Sequence, residues 1–135
     1  MGRSRDLIAV AAGGAVGALA RYGVSLTASA LGVASPWATL AVNVVGCLLM
    51  GLLAAAVLAR PARARDALWR SFLGVGVLGG FTTFSAFAGD AVVLAERGDA
   101  VASAVYVAGT LAAGLVALRL GLSIGVHHRS RRSPA

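Results

Sequence analysis

Four long apolar runs alternate with short polar or basic breaks along the chain, covering about 7–31, 38–59, 71–94 and 100–124. A helix needs about 20 such residues to cross the hydrocarbon core of a bilayer. The pattern predicts an all-α membrane protein of four transmembrane helices. One transmembrane domain takes residues 1–126, and 127–135 reads as a basic, disordered tail. The breaks fit this spacing. Gly32 to Pro36 is an uncharged loop leading to Trp37, a residue type that anchors at the membrane interface. Arg60-Pro61 ends the second run, Arg63, Arg65 and Arg70 extend a basic connection, and Trp69 marks re-entry. Glu96-Arg97-Gly98-Asp99 is a tight polar loop.

The few polar residues inside the runs recur at helical spacing. Thr39, Asn43, Gly46 and Met50 are 4, 3 and 4 apart and share one helix face. Asn43 there is either interhelical glue or a site residue. Ser103, Tyr106 and Thr110 make a second polar stripe. Gly13 and Gly17 have the spacing that lets membrane helices approach closely. Arg21, inside the first run, faces a cavity or a partner, or snorkels to the interface. Asp90, near the end of the third run, reads as interfacial. The third run is the least regular. Gly79 and Gly80 each cost about 1 kcal/mol against Ala in a helix interior. Thr82 and Thr83 can bond their own backbone instead of continuing the ladder. The stretch predicts a helix broken at Gly79–Thr83, a device typical of ion and substrate sites at membrane depth. The alternative is a glycine-softened packing helix.

Composition narrows the class. The 135 residues are 59% hydrophobic and 13% charged, against about 25% charged in soluble domains. The net charge is +7, and every basic side chain is arginine. These arginines flank apolar runs, which suits membrane flanks in contact with lipid and argues against nucleic acid. Arg3 and Arg5 before the first run resemble a signal peptide, but the run continues past Arg21 and reads as the first span. Cys47 is the single cysteine and reads as a packing thiol. No carboxylate lies in the first two runs or the core of the third, which disfavours a proton-coupled drug or cation exporter. Cys/His metal clusters, a phosphate loop and an in-span histidine for a hydrolase are all missing from the sequence. The chain does not read as an enzyme. What remains suits a passive pathway for a small ion.

Four stretches resemble the Fluc (CrcB) family of fluoride channels. They are Gly13 to Tyr22, Pro36 to Gly46, Gly79 to Phe87, and the pair Tyr106 and Thr110. The chain departs from the family pattern at Ala38, where Gly is common, and at Ala86, where Thr or Ser often sits. The resemblance implies an antiparallel dimer of four-helix subunits with two pores, and passive export of fluoride that relieves toxicity. It implies that Phe84 and Phe87 line the pathway with ring edges and that Asn43 donates its amide. It implies hydroxyl donors at Ser85, Tyr106 and Thr110, and an anion-drawing role for Arg21. It also implies a structural Na⁺ held by the backbone carbonyls of Gly79 and Thr82, with added bulk at Gly79 distorting the break. A non-conducting partner subunit of a channel dimer remains a further class.

Four spans place both termini and the Arg60–Arg70 connection on one side. That side holds Arg3, Arg5, Arg60, Arg63, Arg65, Arg70, Arg129, Arg131 and Arg132, while the opposite loops hold only Arg97. The positive-inside rule then predicts cytoplasmic N- and C-termini in the cell membrane. A dimer partner is either a second related chain of opposite orientation or the chain itself.

Overall fold

The computed structural model describes residues 2–58 and 64–130. Helix α1 covers Gly2–Ala30, α2 covers Ser35–Leu58 and α3 covers Ala64–Arg70. A π-helical stretch, Ser71–Leu78, continues α3 and passes into the single turn α4, Gly79–Phe81. Helices α5, Phe84–Glu96, and α6, Ala100–Ser130, complete the chain. Four helical spans are long and apolar enough to cross a membrane: Ser4–Ala30, Ser35–Val57, Ala67–Glu96 and Ala100–His128. Arg60-Pro61, expected to stop the second helix, lies outside the described residues.

Two loops turn on glycine. Gly32 has φ 71° and Gly98 has φ 83°, a left-handed conformation that is cheap only without a Cβ. At the first, Val33 N–H reaches the Ala28 carbonyl at 2.8 Å and Gly32 N–H reaches Ser29 at 3.0 Å. At the second, Asp99 N–H reaches Leu94 and Gly98 N–H reaches Ala95. Both are Schellman caps that satisfy the last carbonyls of a helix. Asp99 then starts α6 by accepting from Ala102 N–H at 2.8 Å.

Packing runs along two glycine-lined seams. α1 packs chiefly on the π-helical stretch and α4, and α2 packs chiefly on α6. A Cβ at Gly17 would overlap the Val77 carbonyl, and one at Gly51 would overlap the Leu118 carbonyl. Such backbone-to-backbone approach is how membrane helices gain dispersion contact without a hydrophobic drive between them.

The third span is bent as expected, but the break is shorter. Gly79 keeps helical angles of φ −66° and ψ −36°, because a glycine in a helix costs stability without forbidding the conformation. The chain leaves the helix only at Thr82 and Thr83, whose ψ values are 157° and 125°. Part of the expected tail is helical. Residues 127–130 continue α6 and are not irregular. Residues 131–135 lie outside the described residues.

Candidate functional site

The break is tied to its surroundings by side chains. Two consecutive extended residues cannot continue a helical ladder, so their backbone groups need other partners. Asn43 on α2 supplies two. Its Nδ2 donates to the Thr83 carbonyl at 3.0 Å, and its Oδ1 accepts from Thr83 N–H at 2.9 Å. Thr82 closes the first half, donating from N–H and Oγ1 to the Leu78 carbonyl at 3.0 and 2.9 Å. Thr83 opens the second half as the N-cap of α5, its Oγ1 accepting from Ala86 N–H at 3.2 Å. Arg21 on α1 donates from Nε to the Gly80 carbonyl at 3.2 Å.

Beyond the break lies a cavity of about 320 Å³ between α2, α5 and α6. Asn43, Phe84, Phe87 and Thr110 all line it, together with Cys47 and Thr83. The Thr110 side-chain oxygen is buried with no hydrogen-bond partner, and the residue is only 6% exposed. An unpaired buried hydroxyl costs about 1–3 kcal/mol, so Thr110 carries a donor in need of an acceptor beside the cavity. Asn43 spends one amide hydrogen on Thr83 and has a second.

Three rings run away from the break in a row. The Phe84 and Phe87 centroids are 5.8 Å apart, and those of Phe87 and Tyr106 are 5.5 Å apart, both pairs tilted. Phe87 is 7% exposed and Phe84 is 78% exposed on the subunit surface. Tyr106 also lines a second cavity of about 450 Å³, which Pro36, Trp37 and Arg97 close toward the loop end. The Phe87–Tyr106 contact therefore joins the linings of the two cavities.

The family resemblance implies one pathway for Asn43, Phe84, Phe87, Tyr106 and Thr110; the structure sets Asn43, Phe84, Phe87 and Thr110 on one cavity, with Tyr106 against Phe87 on the lining of the other. It places two others differently. Arg21 does not line the cavity and meets the break from the α1 side. Ser85 is exposed and shares a 3.2 Å hydrogen bond with Thr83 Oγ1. Asp90 has partners that its position near a span end does not suggest. Asp90 points into the bundle, where its Oδ2 accepts from Thr39 Oγ1 at 2.7 Å and lies 3.4 Å from Tyr106 OH. The available signal was its spacing of three from Phe87, which puts both on one face of α5.

The carbonyls expected to hold Na⁺ lie where the helical ladder is interrupted. The amide that would close a helical turn onto the Gly79 carbonyl belongs to Thr83, and it bonds Asn43 instead. Thr82 is extended, so its carbonyl also leaves the ladder. Hard cations take such oxygens. Gly79 is exposed on the subunit surface. The nearest atom to a Cβ built there is the Gly74 carbonyl oxygen at 4.0 Å, so added bulk at Gly79 would not distort the break within the subunit. Gly80 is the crowded position, against the Gly14 carbonyl.

A family model described as CrcB-like protein, Camphor Resistance (CrcB), matches residues 8–122. The chain is 47% identical over 116 residues to a protein of Paracoccus denitrificans (strain Pd 1222), covering 86% of this chain and 90% of that relative. It is 50% identical over 116 residues to a protein of Rhizobium etli (strain ATCC 51251), covering 85% and 91%. Both relatives are named fluoride-specific ion channel FluC. A Rhodococcus jostii (strain RHA1) protein, fluoride-specific ion channel FluC 1, is 46% identical over 129 residues, covering 96% and 92%.

Proposed function

We infer the function from one premise: the chain belongs to the CrcB-like family. It is a multi-pass membrane protein and a fluoride-specific ion channel, and it is not an enzyme. Thr110 is the observation that carries the reading onto these residues, because the residue lines the same cavity as Asn43, Phe84 and Phe87 and its buried hydroxyl has no partner.

Fluoride is small and strongly hydrated, so a pathway must replace its water in steps without a fixed charge to trap it. Asn43 offers its second amide hydrogen and Thr110 its hydroxyl. Phe84 and Phe87 offer ring edges, which carry positive partial charge. Tyr106 continues the row toward Arg97. Ser85 adds an exposed hydroxyl beside Phe84. Arg21 holds the Gly80 carbonyl and so fixes the break beside this row. At a potential of about 100 mV, negative inside, export of one anion is favoured by about 2.3 kcal/mol, so no pump is needed.

The working unit is an antiparallel dimer. The exposed Phe84 ring and the exposed Gly79 backbone supply the reason, since both lie on the surface that a second subunit would cover. At that contact the Gly79 and Thr82 carbonyls would hold a structural Na⁺ that is not transported. The bias of arginines toward one side fixes this chain with cytoplasmic termini. The partner is then a related chain of opposite orientation rather than an inverted copy. Fluoride efflux from liposomes holding this chain, alone and with a related partner, tests the channel, with chloride as control. Absence of fluoride-selective efflux in both would refute it. Labelling of both termini in whole cells tests orientation, and substantial labelling from outside would restore the homodimer.

A further inference from the structure

We propose that Cys47 is a modification site for soft, thiophilic metal ions, and that its occupation closes the fluoride pathway. The proposal rests on the channel reading above. Cys47 follows Asn43 by one turn on the same face of α2 and lines the same cavity of about 320 Å³. It is half-buried and free. Its Sγ points at α6, where a Cβ built on Gly114 would lie 3.3 Å away. The absence of a side chain at residue 114 is what leaves the sulfur room.

A second observation marks this place as one that accepts a ligand. Thr110, one turn before Gly114 on α6, is more than nine-tenths buried; the residue lines the cavity, and its buried hydroxyl has no partner. The cavity thus pairs a soft sulfur with an unspent hydrogen-bond donor. Sulfur ligands select soft metals over hard ones. Mercuric chloride is a neutral probe that crosses apolar surroundings. Cys47–SH reacts with HgCl₂ to give Cys47–S–HgCl, with H⁺ and Cl⁻ released to water. The S–H bond breaks, one Hg–Cl bond is exchanged for Hg–S, and nothing is oxidised or reduced. The adduct occupies space between Asn43 and Phe87 that a passing fluoride would need.

The chain has one cysteine, so the test is clean. Purified channel in liposomes is treated with mercuric chloride, and each protein's efflux is divided by its own untreated rate. The native protein should lose most of its efflux and regain it with excess dithiothreitol. Cys47→Ala and Cys47→Ser should keep their own untreated rates. Intact mass of the folded native protein should show one mercury per chain. Equal inhibition of the cysteine-free variants would overturn the proposal. So would full efflux from native protein whose mass shows the adduct, or a thiol that reacts only after denaturation. Absence of efflux before treatment would instead refute the channel reading. The mass measurement then judges the site alone, an adduct on the folded chain supporting it and none overturning it.

Discussion

Replacing Asn43 with leucine removes both hydrogen bonds that fasten the break to α2, while keeping a side chain of similar size. The two bonds are 2.9 and 3.0 Å long and serve the N–H and the carbonyl of one residue, Thr83. Each backbone group stranded in a dry site costs about 1–3 kcal/mol, so the pair is worth roughly 2–6 kcal/mol. The upper part of that range applies where no water reaches the freed groups. Thermal unfolding of the detergent-purified protein reads the stability, and liposome efflux reads the pathway. The leucine variant should unfold at a clearly lower temperature and conduct poorly. Native stability together with lost efflux would show that Asn43 meets only the ion, refuting its fastening role. Native values of both would remove Asn43 from the site.

The other predictions separate surface from core. Phe84→Ile should leave subunit stability unchanged, because the ring is 78% exposed, yet abolish fluoride efflux; native efflux would contradict the ring-edge argument. Phe87→Ile, at a buried position in contact with Tyr106, should lose efflux and also about 1–2 kcal/mol of stability in the same unfolding assay. Gly17→Ala should sharply reduce folded yield on size-exclusion chromatography, since its Cβ would overlap the Val77 carbonyl, whereas Gly14→Ala meets nothing within 4 Å and should be silent. Exchange of Na⁺ for a large organic cation should weaken the assembled channel, and equal dimer stability in both media would argue against the carbonyl site.

The spans were legible because hydrophobic length is a strong signal, and the irregular third span because Gly79, Gly80, Thr82 and Thr83 are poor helix residues in sequence. Where the helix stops was less legible. Glycine weakens a helix without ending it, and the stop is fixed by Asn43, which lies 40 residues earlier. The partners of Asp90 were not legible, because only folding brings Thr39 and Tyr106 to it. The π-helical stretch leaves no periodic mark in eight residues, and it lies where α1 presses on the Phe72 and Val77 carbonyls. Arg21 could be read as restrained by its apolar neighbours, but its partner is a backbone oxygen, which carries no sequence signature.

The α2–α6 seam also imposes a timetable on biosynthesis. Gly51 and Gly121 meet backbone to backbone although 70 residues separate them. A ribosome adding roughly 5–20 residues per second needs about 4–14 s to make that interval. For most of it, α2 stands among lipids with its mate still untranslated, and the wall that holds Thr110 does not yet exist. A transcript or ribosome that stops before the last helix therefore yields a three-span product whose Asn43 and Cys47 face is bare, a natural substrate for membrane quality-control proteolysis.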